Sequence, residues 1–567
     1  MLPYINIPFE YGANMLGAST DELKLIFCFL LSYPLAGVLK RLPDNNPKLK
    51  NYFIIAVGVF YLVGIFDLWE GLALVVTDAA ATYLIAAYVE GPYMPWIGFV
   101  VIMGHMSVSH IHRQKADAPS TIDITGAQMV MVMKLTAFCW NVWDGKQDQS
   151  DLNDYQRERA LKELPDPLDF AAYVAFFPSL MAGPAFDYAD YRRWLETSMF
   201  DLPPGTDPSK APPTRKKRKI PRSATPAMKK LIVGLSWILV FLVGSGHFNT
   251  DVFLTDKYKE LGIFSRIFQM YMMNVVARMK YYGVWTLTEG ACIMAGIGYK
   301  GVDPKTGKPN WDRLTNIRPL GVELAQNSHA YLGNWNINTN NWLRNYMYLR
   351  VTPKGRKPGF RATLATFVTS AFWHGFYPGY YLTFVLAAFM QNTAKNARRL
   401  LRPFFLTPDG SKPLPMKRYY DIFSWFITQF AFCFVTSPFI LLTLSASLRA
   451  WAAVYFYAAI GVTLCGAFTA SPGKRWLQRK IKARGPRPDM KRQESMENIA
   501  GATLGVPTDP GVEFDEMVDE IVEEVRKRRG GKDLPDPAEV RKQVERTLSE
   551  KAKALSEGVT SGESKAE

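Results

Sequence analysis

Cysteine is scarce in this chain of 567 residues: Cys28, Cys139, Cys292, Cys433 and Cys465 are scattered, mostly inside apolar runs. They make no CxxC pair and no regular spacing. That excludes a disulfide framework and leaves them as packing residues. No GxSxG motif is present, so the nucleophile elbow of the serine hydrolases is missing. The apolar segments show no internal repeat of the kind many transporters are built from. The opening Met1-Leu-Pro-Tyr-Ile5 lacks a basic n-region, and no cleavable signal peptide is expected.

What the chain has is apolar and aromatic bulk. Apolar residues make up 48% and aromatics 13%, yet the mean hydropathy is only −0.06. That value averages two unlike parts. Residues 22–470 carry repeated apolar runs, and residues 471–567 are mostly charged and polar. The pattern predicts an all-α, polytopic integral membrane protein with a soluble tail, with roughly 10 or 11 membrane segments. Residues 1–21 read as a short interfacial segment. The formal charge of +16 fits an anionic membrane surface or nucleic acid. Because Lys and Arg sit in loops beside apolar runs, the membrane reading is preferred and no nucleic-acid partner is expected. The basic block Arg215-Lys-Lys-Arg-Lys219 lies in a polar loop, residues 199–230. A second basic stretch runs from Lys474 to Arg492. Both are placed in the cytosol by the positive-inside rule. Further along the tail, Phe514–Arg529 has the spacing of an amphipathic helix.

Individual runs carry more detail. Ile124–Trp143 is apolar but contains Lys134 and Asn141, with Asp144 just beyond, so it faces protein or a cavity rather than lipid. Leu168–Ala185 is a further candidate span, broken by Pro178 and Pro184. Ile263–Ala277 and Val284–Gly298 read as two spans joined by Arg278–Gly283. Residues 301–350 are polar and aromatic with no clean span, which means a loop or irregular backbone lining a cavity.

Chemistry concentrates in two places. Ser370-Ala-Phe-Trp-His-Gly-Phe-Tyr-Pro-Gly-Tyr-Tyr-Leu-Thr-Phe384 lies in an apolar run, Ala362–Met390, long enough to cross a bilayer, with one titratable group, His374. An ionisable side chain there is costly and marks a functional site unless it only packs. Some 38 residues upstream, Asn334-Trp-Asn-Ile-Asn-Thr-Asn-Asn-Trp-Leu-Arg-Asn345 holds six asparagines and two tryptophans. An Asn donates and accepts at once, so it can hold a hydroxyl or a histidine in register; Asn is also common in turns.

The pair Trp335-Asn336-(five residues)-Trp342 and Trp373-His374-Gly375 resembles the membrane-bound O-acyltransferase (MBOAT) family, and within it the fungal lysophospholipid acyltransferases. Further matching blocks are Leu135–Gly145, Phe177–Tyr188 and Arg278–Gly290. The resemblance spans roughly residues 15–475. It implies a helical membrane fold around a reaction chamber in the endoplasmic reticulum. His374 would be the catalytic histidine, with Asn336 as its companion and Asn338 as the fallback. Acyl-CoA would enter from the cytosol as co-substrate, and a lysophospholipid from the membrane would accept the acyl chain. No cofactor and no metal are implied.

The residue types suit that chemistry. Acyl transfer from a thioester needs a base for the attacking hydroxyl, and an apolar site favours the neutral imidazole that can accept a proton. Asn336 would hold the hydroxyl or stabilise the oxyanion. Trp335, Trp342, Trp373, Asn338, Glu289 and Arg344 are candidates for lining the substrate site. Glu289 either lines the chamber or pairs with Arg278 or Lys280, the structural pair being preferred. Arg344, Arg350, Lys354 and Arg356 are either contacts for the CoA phosphates or plain loop charge. His105, His110 and His112 lack the further ligands of a metal site and read as interfacial histidines. The rival readings are an MBOAT enzyme with a sterol, diacylglycerol or protein acceptor, and a transporter or scramblase in which His374 relays protons.

Overall fold

A computed structural model describes residues 4–16, 19–116, 123–202, 212–214, 218–303, 307–352, 360–408 and 410–484. The architecture is all-α. Its one described sheet is a two-stranded hairpin, Gly301–Val302 against Pro309–Asn310. After a short helix, Asn6–Leu16, the main helices run α1 (Thr20–Leu39), α2 (Pro47–Val59), α3 (Trp69–Tyr88), α4 (Met94–Lys115), α5 (Thr125–Gly145), α6 (Ala224–Ser245) and α7 (Ile263–Ala295). They continue with α8 (Ile337–Leu343), α9 (Phe360–His374), α10 (Pro378–Leu401), α11 (Lys417–Leu441), α12 (Leu444–Ala453), α13 (Tyr457–Ala470) and α14 (Pro472–Lys482). Local signals set several starts. Ser19 caps α1 in a reciprocal box with Glu22, and Pro47 opens α2 behind the Asn46 cap.

Among the described residues six helices are long and apolar enough to cross a bilayer: α1, α2 with its π-helical continuation to Ile65, α3, α4, α6 and α11. The pair α12–α13 makes a seventh only if its 78° bend is one broken span. The count falls short of 10 or 11 because α5, α7 and α10 are long but too polar for that measure. In α5, 17 of 21 residues are buried, Gln128, Lys134, Asn141 and Asp144 among them, so its polar groups face protein as expected. In α6 only Ala227, Gly234 and Ile238 of 22 residues are buried, which marks it as a peripheral, apolar-faced helix.

Four expectations need correcting. The two spans placed between Ile263 and Gly298 are one 33-residue helix. Arg278 does not break it because Glu323 accepts from its guanidinium at two 2.8 Å bonds, and Lys280 pairs with Glu22. Leu168–Ala185 is no span: Pro167–Val174 and Phe177–Leu180 are short buried helices, separated where Pro178 starts a new turn. The run Ala362–Met390 is two helices with a break at Gly375. The run Arg449–Ala470 is likewise bent between α12 and α13. Phe514–Arg529, Lys354 and Arg356 lie outside the described residues.

Candidate active site

The site is built on α5. Its Trp373 side is a helix end. Gly375 has φ +114°, where a side chain is strained, and its N–H donates to Ala371 and Phe372, so α9 stops at His374. Pro378 opens α10 three residues on, and Gly379 is packed so tightly against α11 that an added Cβ would lie 2.0 Å from the Pro438 carbonyl. His374 therefore sits at a turn between two helices, not in mid-span. Its imidazole lies among aromatic rings, with centroids 4.6 Å from Trp373, 5.2 Å from Phe384, 4.9 Å from Phe439 and 5.6 Å from Tyr380. His374 as a whole residue is half-buried.

The asparagine run is held mainly by hydrogen bonds. Asn340 Nδ2 donates to the Leu332 and Trp335 carbonyls at 2.8 Å each, Asn334 Nδ2 to Ala330 and Asn345 Nδ2 to Asn341. These three are loop and helix braces. Asn316, unmarked in the sequence, takes Ile337 N–H on its carbonyl at 2.8 Å and Asn338 N–H on its side chain at 3.0 Å. Among the described residues Asn338 Nδ2 reaches only the Leu314 carbonyl, at 3.5 Å. Asn336 differs from its neighbours. It adopts a left-handed backbone (φ 44°, ψ 55°), which Asn tolerates better than most residues. Its Oδ1 accepts from Thr339 at 2.9 Å, and its amide nitrogen has no acceptor among the described residues.

Both motifs reach α5. Trp342 donates its indole N–H to Thr136, and Trp373 donates its own to the Met129 carbonyl, each at 2.9 Å. The two indoles face each other at 6.2 Å. No hydrogen bond joins His374 to Asn336 or Asn338 among the described residues. Trp335 turns away to α7, against Trp285 at 5.2 Å and Tyr281 at 5.7 Å.

Glu289 pairs with neither expected partner. It is fully buried and meets Lys230 of α6 at 2.8 Å, while Thr315 donates to it at 2.8 Å. Thr315 adjoins Asn316, so Glu289 anchors the segment that hydrogen-bonds to Ile337 and Asn338 of the asparagine run. Arg344 opens a π-helical turn, Arg344–Tyr348, and is half-buried. Arg350 is committed to Asp144 through a two-armed ion pair, one arm 2.7 Å, and stacks on Trp140. It is therefore a brace on α5. A cavity of about 510 Å³ opens between α6, α7 and the hairpin, lined in part by Lys229, Lys308, Asp303, Asp312, Trp237 and Trp311.

The three histidines of α4 diverge. His105 pairs with Asp78, His112 is exposed, and His110 is buried against the turn after Trp373. His110 is buried in protein and not an interfacial histidine; its place in the His105, His110, His112 spacing at the end of an apolar run did not separate it from its two neighbours.

A model of the MBOAT, membrane-bound O-acyltransferase family matches residues 118–437. The chain is 46% identical over 480 residues to the lysophospholipid acyltransferase of Schizosaccharomyces pombe, covering 85% of this chain and 92% of that one. It is 40% identical over 496 residues to the lysophospholipid acyltransferase of Saccharomyces cerevisiae, covering 86% and 80%. A human relative, membrane-bound glycerophospholipid O-acyltransferase 2, is 28% identical over 453 residues, covering 78% and 84%.

Proposed function

The chain belongs to the membrane-bound O-acyltransferase family, and from that premise we propose that it is a lysophospholipid acyltransferase using acyl-CoA in the endoplasmic reticulum membrane. The hydroxyl of the lysophospholipid attacks the thioester carbonyl. His374 takes its proton as the new ester bond forms, the carbon–sulfur bond breaks, and the proton passes to the departing CoA thiolate. The Asn336 amide, which donates to nothing else described, holds the hydroxyl or the oxyanion. The carrying observation is that the Trp-His-Gly turn and the asparagine run meet on one buried helix through Trp342 and Trp373. The basic stretch from Lys474 to Arg492 supports a cytosolic side for the chain after residue 471.

The test is CoA release by purified protein given oleoyl-CoA and a panel of lysophospholipids, sterol, diacylglycerol and an acceptor peptide. Release that depends on a lysophospholipid supports the reading, and the same plate ranks the head groups. Release only with sterol, diacylglycerol or peptide moves the enzyme to another acceptor. No release with any acceptor, from folded protein, returns the transporter reading.

A further inference from the structure

We propose that His110 is a positioning residue for His374: from α4 it fixes the end of the helix that carries the base, without touching substrate. The proposal rests on the reading of His374 as that base. His110 is buried in the last two turns of α4, and its Nε2 lies 3.1 Å from the Trp373 carbonyl oxygen. A carbonyl only accepts, so Nε2 carries the proton and donates it. The last carbonyls of a helix have no donor within the helix. Trp373 is the penultimate residue of α9, so its carbonyl is one of these, and His110 fills the vacancy.

The other edge of the ring closes the turn. A Cβ added to Gly375 would lie 2.9 Å from His110 Nδ1 and 3.2 Å from its Cγ. The residue directly after His374 is thus glycine for two reasons, its φ of +114° and the imidazole pressed against it. On the far side Trp373 is held by its indole bond to Met129 of α5. The two holding helices are themselves tied together, because Asp78 of α3 accepts from Gln128 of α5 and pairs with His105 of α4. Backbone and side chain of Trp373 are therefore clamped from α4 and α5, and the direction of the next side chain, His374, follows.

Loss of the donor leaves the final turn of α9 free to fray, and fewer molecules present the imidazole correctly. Misplacement of this kind reads in kcat, because substrate contacts are untouched. The experiment compares kcat, KM and pH–rate profile for the full chain in lipid nanodiscs, with oleoyl-CoA and the best lysophospholipid. His110→Phe keeps ring bulk and removes the donor; kcat is expected to fall about 10- to 100-fold with both KM values within about twofold. His110→Gln places an amide N–H at the reach of Nε2 and cannot titrate, so kcat within about threefold of wild type and an unchanged pH profile are expected. His110→Asn is too short for the same bond and should behave like Phe, which preserves the test if Phe fails to fold. His112→Phe, at an exposed neighbour, should match wild type. Wild-type kcat in both Phe and Asn variants, or a Gln variant as impaired as they are, overturns the proposal. His374→Ala in the same series separates the two layers. If it stays active, the base reading fails; if it is dead while His110→Phe is unimpaired, only the positioning role fails.

Discussion

The Trp373–Gly375 turn and the Asn334–Asn345 run meet on α5 but are held by different forces. Around His374 there are rings: Trp373, Tyr380, Phe384 and Phe439 all lie within 5.6 Å, centroid to centroid. Around Asn336 there are short polar bonds from Asn316, Asn340, Thr339 and, behind them, Thr315 and Glu289. A base needs an apolar wall and some freedom to exchange a proton. A group that orients a hydroxyl needs a fixed backbone. The aromatic half tolerates changes that keep volume, whereas the polar half fails when one buried partner is removed, because an unsatisfied polar group costs about 1–3 kcal/mol.

Substitutions can break this contrast, the largest effect first. His374→Ala should lower turnover by about 10³-fold, within the range for a general base, with the thermal midpoint unchanged. Loss of fold rather than of turnover would make His374 a packing residue. Asn336→Gly keeps the left-handed backbone and deletes the amide, so turnover should fall about 10²-fold. Recovery of near-wild-type rate with Gly would show that the backbone conformation alone matters. Glu289→Ala strips Lys230 and Thr315 of a buried partner. The expected loss is about 3 kcal/mol of stability, seen as a lower thermal midpoint, with weaker activity as the asparagine run loosens. A stable, active variant would cut Glu289 out of the polar half. The smallest effect belongs to Trp342→Phe, which keeps a ring against Trp373 and loses the bond to Thr136. About 1 kcal/mol and a few-fold change in rate are expected.

Much of this was legible in the sequence, and the gaps have physical causes. His374 stood out because a lone imidazole in an apolar run is rare, and α5 was recognisable as buried from Lys134, Asn141 and Asp144. The break at Gly375 was hidden because apolar residues continue on both sides of it, and hydropathy does not report a backbone turning at φ +114°. The continuity of α7 was hidden for the opposite reason: Arg278 and Lys280 looked like loop charge, and their neutralising partners, Glu323 and Glu22, lie 45 and 258 residues away. Asn316 carried no local signal, since it acts only through the distant Ile337 and Asn338, and the His105, His110, His112 spacing did not reveal that His110 meets Trp373 and Gly375 far along the chain. The abundance of asparagine in the motif masked which one was special; conformation separates Asn336 from the bracing Asn334, Asn340 and Asn345.

The central claim is that the aromatic and polar halves form one reacting unit. A double-mutant cycle on turnover tests it directly, with His374→Ala, Asn336→Gly and the double variant measured beside wild type under saturating oleoyl-CoA and lysophospholipid. Groups that act on the same step are strongly non-additive, so the double variant should be about as slow as His374→Ala alone. If the two losses multiply instead, His374 and Asn336 work independently, and the account of a single site on α5 is contradicted.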